Sequence, residues 1–415
     1  MRLGLNFRRI DPTRGGAETY VVDLCRRLIE LGHQVDLYAE SWNAEALPAE
    51  VRCVKVDAPG LTKMGQIWNF ARNSAAALKK KSYDCTVGLI NTWAHDVIIP
   101  QGGTHQGSVL SNSRRFPTEF QRRLYTLSKS ANPKNAIYGA IERRQYDAAR
   151  GAQVIAVSNM VKRHLEEFHH VPSRRIHVVP NAIDPQRLIV PQPGATRCAL
   201  RNKLGLQPKD LVGLYVGHNF ALKGLGKILE ALSIRHRNNP EARPIHLLVC
   251  GGGKVAQYQR FAQQLGLGDT VHFLGFFPDI RACYWSSDFF VLPTYYDPCS
   301  LVVFEALVCG LPVISTAFNG ATEVMTDGKE GYVLTSPNAV GELVVALDRM
   351  TNDSNRLVMA EQATQLGKVQ TLDAHVDRLL KVFEAVAHSK AHQAKGPHLK
   401  TSQASKTQGI SQPKR

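Results

Sequence analysis

Residues 295–316 read YYDPCSLVVFEALVCGLPVIST and decide the fold. The apolar run FFVL at 289–292 precedes them and is typical of a buried strand. The pattern then predicts a loop, a helix that begins at Leu301 and ends before Gly310, and a second strand in PVIST. A strand, loop, helix and strand in this order form a βαβ unit, so the segment predicts a parallel sheet.

Apolar runs of this kind alternate with helical patterns twice along the chain, which is typical of parallel sheets covered by helices. In the first half, strands are predicted at 2–7, 34–39, 51–56, 84–90, 97–100, 153–157 and 176–179. In the second half, they are predicted at 211–217, 245–250, 271–274, 289–292 and 312–316. We therefore expect an α/β fold with two Rossmann-like domains.

The length of 415 residues also favours two domains, because one hydrophobic core stops growing at about 250–300 residues. A linker composition, PQPGAT, lies between Asp184 and Ala199. From His388 onward the chain is basic, without acidic residues, and predicts a disordered tail. The expected division is a first domain at 1–188, a second at 189–368, a helix at about 369–387 that packs back on the first domain, and a tail at 388–415.

Composition narrows the class of protein. With 44% hydrophobic and 21% charged residues the chain is typical of globular proteins, and no run approaches the roughly 18 apolar residues of a membrane span. The eight cysteines show no CxxC spacing, which argues against zinc and against a disulfide framework. We expect a cytoplasmic protein that requires no metal.

The net charge of +16 predicts an anionic partner. No nucleic-acid-binding motif is present, so we expect a membrane surface or an anionic acceptor and no nucleic acid. Between 114 and 150 basic residues interleave with apolar ones such as Phe116, Phe120 and Leu124. This pattern favours a basic amphipathic helix on an anionic bilayer, and the alternative is a solvated helical face.

Two carboxylates flank the start of the helix at Leu301. Ser300 is a good N-cap, and the free N–H groups of Leu301 and Val302 could bind a diphosphate. Glu305 lies one turn further in among apolar residues, where it could accept hydrogen bonds from ribose hydroxyls or pair with a structural arginine. Asp297 lies eight residues earlier and could face a bound sugar.

This spacing resembles the E-x7-E motif of family 4 retaining glycosyltransferases. These enzymes have the GT-B fold, in which two Rossmann-like domains with parallel sheets face a central cleft. The similarity extends to about residue 385 and, in outline, to lipopolysaccharide-core glucosyltransferases. It implies that Glu305 holds the nucleotide ribose and that Asp297 holds the donor sugar. Asp297 is one methylene shorter than the usual glutamate, so the resemblance does not decide which donor sugar it holds.

Three further segments resemble donor-binding loops of the family. DPTRGGAETY carries Gly15 and Gly16, which would let the backbone approach a ligand. VGHNFALKG would present the backbone of Gly217 and the ammonium of Lys223 to the diphosphate, with His218 where the family has arginine. HFLGFFPDI would contact the nucleotide base through the backbone. The residues at the matching places there are Leu274 and Gly275.

The family also places a functional histidine or aspartate near NTWAHDVIIPQGGTHQGS, which contains His95 and His105. We expect His105 to contact the donor sugar and His95 to be structural. The resemblance implies His105, Lys223 and Asp297 as catalytic residues. It implies transfer from a UDP-sugar to a glycan or glycolipid acceptor, in lipopolysaccharide or other cell-surface polysaccharide synthesis, by an enzyme on the inner face of the cytoplasmic membrane. The alternatives are a nucleotide-sugar epimerase and a non-catalytic scaffold.

Overall fold

A computed structural model describes residues 1–93, 95–147, 149 and 151–394. Seven parallel strands form the first sheet, in the order β5-β3-β1-β6-β7-β8-β9, and β2 and β4 pair separately. The strands of this half are β1 (Arg2–Asn6), β2 (Arg9–Ile10), β3 (Gln34–Ala39), β4 (Ser41–Trp42), β5 (Arg52–Lys55), β6 (Cys85–Gly88), β7 (Val97–Ile98), β8 (Gln153–Ala156) and β9 (Ile176–Val178).

Six parallel strands form the second sheet, in the order β12-β11-β10-β13-β14-β15. They are β10 (Leu211–Val216), β11 (Ile245–Cys250), β12 (Val271–Gly275), β13 (Phe289–Leu292), β14 (Val313–Thr316) and β15 (Gly331–Leu334). Every predicted strand is confirmed. β2, β4 and β15 were not predicted, because two residues or a short glycine-led run give no readable pattern.

Helices cover both sheets. Within the described residues, none of them is both long and apolar enough to cross a lipid bilayer. They are α1 (Gly16–Glu30), α2 (Lys63–Leu78), α3 (His105–Ser113), α4 (Glu119–Ser130), α5 (Pro133–Gln145), α6 (Asn159–His169), α7 (Pro193–Lys203), α8 (Leu225–Asn238), α9 (Val255–Gln264), α10 (Ile280–Ser286), α11 (Leu301–Val308), α12 (Val340–Met350), α13 (Asp353–Val369) and α14 (Leu372–Ala394).

The basic segment at 114–150 forms two helices, α4 and α5, rather than the single helix that the pattern predicted. Asn132 caps α5 by accepting a hydrogen bond from the amide of Lys134, and Pro133 occupies the first turn. A proline is tolerated at that position but would break a continuing helix, so the chain stops and restarts there. Ala148 and Arg150 lie outside the described residues.

The helix α14 packs against residues of the first lobe. In its core, His375 donates through Nδ1 to the carbonyl of Pro180 (2.7 Å) and accepts from the Tyr20 hydroxyl at Nε2 (2.9 Å). The helix continues to Ala394, so 388–394 belong to it and not to a disordered tail. The remainder of the predicted tail, 395–415, lies outside the described residues, and the division at 188/189 stays a prediction.

Candidate active site

Two helix N-termini meet where the carboxyl edges of the sheets face each other. Gly16 opens α1, and a Cβ atom placed on it would lie 3.3 Å from Cδ1 of Leu301, which opens α11. The N-cap residues, Gly15 and Ser300, make no side-chain capping hydrogen bond. The first-turn N–H groups of both helices therefore remain available to an anion, and both helix dipoles favour one.

Lys223 and Asp297 form an ion pair beside these helices. The Nζ atom of Lys223 donates to Oδ2 of Asp297, whose residue is 9% exposed. The backbone of Asp297 is fixed on both sides, because its amide donates to Phe318 (2.9 Å) and its carbonyl accepts from Gly320 (2.8 Å). The contact uses one donor of the Lys223 ammonium and Oδ2 of Asp297, so further N–H groups of the lysine and Oδ1 of the aspartate are left for a ligand.

Glu305 lies one turn along α11 and is half-buried at the junction of the lobes. Its Oε2 accepts from the Tyr284 hydroxyl at 2.7 Å. Burial raises the pKa of the Glu305 carboxyl, and the positive charge of Arg187 works against that rise. Arg187 itself pairs with Asp23 of α1 (2.8 Å), so Glu305 is not held in a direct pair with a structural arginine.

The loop after β10, which begins at Gly217, differs from the prediction in the hydrogen bonding of its first amide. The amide of Gly217 donates to the carbonyl of Cys250 at 3.0 Å, because the two strands stay in register there, so this N–H is not free for a diphosphate. The neighbouring His218 is exposed and accepts at Nδ1 from the amide of Gly252 (3.3 Å). Its Nε2 is then the protonated nitrogen and can donate to a ligand.

The loop after β12 lies beside the loop after β10. Gly275 has a φ of +64°, and its carbonyl accepts from the amide of Gly251 at 2.6 Å. A Cβ atom on Gly251 would overlap the carbonyl of Gly217. Leu274 is half-buried against the core. The predicted residues of both loops thus lie along one edge, at the carboxyl ends of β10, β11 and β12.

The positive charge of this region comes from side chains and helix termini. The two helix N-termini and the Lys223 ammonium, which is paired with Asp297, contribute to it, and His218 adds a donor. Within the part of the chain that the structure describes, no group of three or more His, Cys, Asp or Glu side chains is arranged to hold a metal ion.

His105 lies on the first-lobe wall of the cleft. Its amide donates to Oε1 of Glu142 (2.7 Å), and its ring stacks on Tyr138 with centroids 5.2 Å apart. Burial lowers the pKa of His105, with Glu142 opposing that shift. In the described structure its ring makes no hydrogen bond to Lys223 or Asp297. The predicted contact of His105 with the donor sugar stays a prediction.

The structural role expected of His95 stays a prediction. It is buried, its Nε2 lies 3.2 Å from Nδ2 of Asn6, and burial lowers its pKa to about 4. Its ring packs over Gly88, where a Cβ atom would overlap it. The neutral ring therefore fills space between the first sheet and its covering helices.

Sequence reasoning missed the residues that join the lobes at the mouth of the cleft. The Glu323 carboxylate accepts from the amides of Asn159 (2.5 Å) and Met160 (2.8 Å) and so caps α6 from the opposite lobe. Tyr296 packs against Gly103. Glu323 and Asn159 are more than 150 residues apart in the sequence, as are Tyr296 and Gly103, and no local sequence pattern predicts contacts at such separations.

Two family models match the chain. The model described as Glycosyltransferase Family 4 matches residues 14–187, and the model described as Glycosyl transferases group 1 matches residues 197–367. The matches do not overlap and together cover most of the sequence. The chain is a family 4 glycosyltransferase with the GT-B fold. Its predicted enzyme class, a hexosyltransferase-type glycosyltransferase, is confirmed with the family.

Relatives match the glycosyltransferase over nearly its whole length. It is 24% identical over 364 residues to the lipopolysaccharide glucosyltransferase WaaG of Escherichia coli, covering 86% of this chain and 92% of that one. It is 26% identical over 392 residues to D-inositol 3-phosphate glycosyltransferase 2 of Catenulispora acidiphila, covering 88% and 89%. The crystal structure of WaaG superposes with a TM-score of 0.73 at 22% identity and covers 95% and 100% of the two chains.

Proposed function

We propose that the enzyme transfers a sugar, with retention, from a nucleoside diphosphate sugar to a glycan or glycolipid acceptor in lipopolysaccharide or other cell-surface polysaccharide synthesis. The observation that carries this proposal is the meeting of the helix N-termini at Gly16 and Leu301 beside the Lys223–Asp297 pair. A UDP-sugar is the first donor to test, since the related fold of Anabaena HepE was solved with UDP-glucose (17% identity, TM-score 0.66).

In this proposal each part of the nucleoside diphosphate sugar has a binding partner in the protein. The diphosphate binds at the N–H groups of Leu301 and Val302, and Lys223 turns to it from Asp297. Asp297 is thereby released to accept hydrogen bonds from hydroxyls of the donor sugar, and Glu305 accepts from the ribose. As the bond from C1 to the diphosphate breaks, the leaving group takes the electron pair, and these donors stabilise its growing charge.

The acceptor hydroxyl forms the new bond to C1 on the face that the diphosphate leaves, and its proton departs with the diphosphate. We assign His105 to the acceptor side of the cleft, because its ring lies on the first-lobe wall against Tyr138. A neutral imidazole at that place can orient a hydroxyl without adding charge. The closed cleft also keeps water away from the donor.

The donor site is tested with Glu305→Gln. We expect the affinity for UDP-glucose to fall about 10- to 100-fold, because hydrogen bonds to a charged group contribute about 1.5–3 kcal/mol. Isothermal titration calorimetry measures this, with Glu361→Gln on the exposed side of α13 as the matched control. Equal affinities in the wild type and in Glu305→Gln would show that the ribose lies elsewhere. Release of UDP together with a transferred sugar distinguishes a transferase from an epimerase or a scaffold.

The same substitution has a predictable effect on stability. Burial raises the pKa of Glu305 above its ordinary 4.5, so its ionisation opposes folding increasingly as the pH rises above 4.5, and in full once the pH exceeds the raised value. The penalty is absent below pH 4.5, where the group is protonated in both the folded and the unfolded state. Glu305→Gln should therefore have a higher Tm than the wild type at pH 7, and the difference should vanish towards pH 4. Calorimetric unfolding across this range measures it, and a lower Tm at pH 7 would contradict it.

We also propose that the enzyme is cytoplasmic and docks on the anionic inner face of the cytoplasmic membrane through α4. This helix buries no residue, and Phe120, Leu124 and Leu127 are 76%, 57% and 66% exposed on one stripe. Arg123 lies on the same helix and can contact anionic headgroups.

Two other arginines of the basic segment, Arg114 and Arg144, contact aromatic rings of the protein and are not needed for this docking. Arg114 lies 4.2 Å from the centroid of the Phe318 ring across the cleft. Arg144 lies 5.0 Å from the ring centroids of both Trp68 and Trp93. The surface proposed to meet the membrane is therefore the exposed side of α4 rather than the whole of 114–150.

Replacing Phe120, Leu124 and Leu127 together by serine should lower binding to phosphatidylcholine–phosphatidylglycerol vesicles at least about 100-fold, since burying each such side chain contributes about 1.5–3 kcal/mol. Cosedimentation measures the bound fraction. The double variant Leu357→Ser/Val358→Ser, which removes exposed apolar residues from α13, is the control and should bind as the wild type does. Unchanged binding by the α4 variant would exclude this face.

A further inference from the structure

A cavity of about 390 Å³ lies in the first lobe between α3, α5, α6 and the end of α4. This volume is within the usual range of about 300–1,000 Å³ for small-molecule sites. A second cavity of about 170 Å³ shares His105 and Glu142 with it and is bordered by Gly103. Gly103 packs against Tyr296 and Pro298, which flank Asp297. The two cavities therefore lead from the donor side of the cleft into the first lobe.

The larger cavity is positively charged. Lys129 and Arg143 line it, and neither has a carboxylate partner among the described residues. Glu142 is the one acidic side chain in the described lining, and it is already engaged. It accepts from the amide of His105 (2.7 Å) and lies 3.2 Å from Nε2 of His169. The charge of the two cations thus remains for a ligand to neutralise.

His105 lines both cavities, and its ring holds a buried nitrogen atom. Nε2 of His105 is buried and makes no hydrogen bond in the described structure. Buried polar atoms are usually hydrogen-bonded, and a ligand hydroxyl would reach this nitrogen only after the His105 ring turns toward the cavity, past the neighbouring side chain of Asn135. The lining therefore fits a molecule that carries a hydroxyl near His105 and an anionic group near Lys129 and Arg143.

We propose that this cavity receives the acceptor and that the acceptor is an anionic sugar, whose phosphate or carboxylate is bound by Lys129 and Arg143. The inference rests on the proposed transferase function, since it assumes that a donor sugar is held at Asp297. It adds the chemical class of the acceptor and two residues that select it. A guanidinium and an ammonium together suit both a phosphate and a carboxylate.

The test uses the full-length enzyme saturated with UDP, so that the probes cannot occupy the donor site. Glucose 6-phosphate, glucuronate and methyl glucoside are titrated by calorimetry. We expect at least one anionic sugar to bind about tenfold or more tightly than methyl glucoside. The variant Lys129→Ala/Arg143→Ala should lose this preference. The control Arg123→Ala/Lys134→Ala removes the same charge from α4 and α5 outside the cavity and should keep it.

The outcomes separate the two proposals. Normal UDP binding without a preference for either anionic sugar would overturn the acceptor inference alone, and so would an equal loss in the control variant. Failure of UDP to bind the wild type would contradict the donor site and the inference with it. Vesicle cosedimentation tests whether Lys129 and Arg143 bind anionic lipid headgroups instead of an anionic sugar. If Lys129→Ala/Arg143→Ala releases the enzyme from vesicles but keeps the sugar preference, the two cations serve lipid headgroups and the inference is wrong.

Discussion

Replacing Lys223 by methionine is expected to lower kcat/KM about 10²- to 10³-fold, the usual effect of removing one group that stabilises developing negative charge. The loss has two sources. The ammonium no longer neutralises the departing diphosphate, and Asp297 stays buried with an unpaired charge. A coupled assay for released UDP measures the activity, and thermal unfolding measures the accompanying loss of stability.

The double variant Lys223→Met/Asp297→Asn separates these sources. Removing both charges should recover much of the thermal stability, because no unpaired charge remains buried, whereas activity should stay low. Recovery of activity in the double variant would mean that the pair is structural and that neither residue acts on the donor. Lys223→Arg keeps the charge and should retain more activity than methionine.

The substitution Gly320→Ala, which adds one methyl group, should also lower activity strongly. Gly320 is buried at the contact between the lobes, and a Cβ atom there would overlap the carbonyl of Pro298 and the side chain of Ser158. Its amide also donates to the carbonyl of Asp297 (2.8 Å). Gly320→Ala should therefore displace Asp297 and hold the cleft open. We expect kcat/KM to fall about 100-fold and stability to fall by about 1–3 kcal/mol.

Gly341→Ala is the matched control, because Gly341 lies in α12 with no atom within 4 Å of the added Cβ. Alanine is the better helix former, so this variant should be as active as the wild type and equally or more stable. Wild-type kinetics in Gly320→Ala would show that the contact at Ser158 is not needed for catalysis. Small-angle scattering with and without UDP-glucose would show whether the lobes still close.

The sequence predicted those parts of the site that depend on short spacing. Asp297, Leu301 and Glu305 belong to one loop and helix, whose geometry follows from a strand, an N-cap and a helical period. The parallel strands were predicted for the same reason, since buried apolar runs are local signals. Family resemblance then supplied the roles, which short spacing alone leaves open.

The parts that could not be predicted depend on contacts between distant segments. The pairing of Lys223 with Asp297, the cap of Glu323 on α6 and the hydroxyl of Tyr284 on Glu305 each need the tertiary fold. The amide of Gly217 was expected to be free and is engaged, because strand register decides its partner. The break between α4 and α5 lies at Asn132 and Pro133, an N-cap residue and a first-turn proline. The apolar residues on either side of it share one helical period, and for that reason the pattern predicted a single helix.

The return of α14 has a consequence for biosynthesis. The buried residues of this helix include Val376, Leu379 and Phe383. His375 forms hydrogen bonds with Tyr20 and Pro180. The lobe translated first is therefore completed by a helix that is translated after the second lobe. While the second lobe is emerging from the ribosome, the first exposes the apolar groove that α14 will fill. The nascent chain must hold this unfinished surface until α14 has been translated.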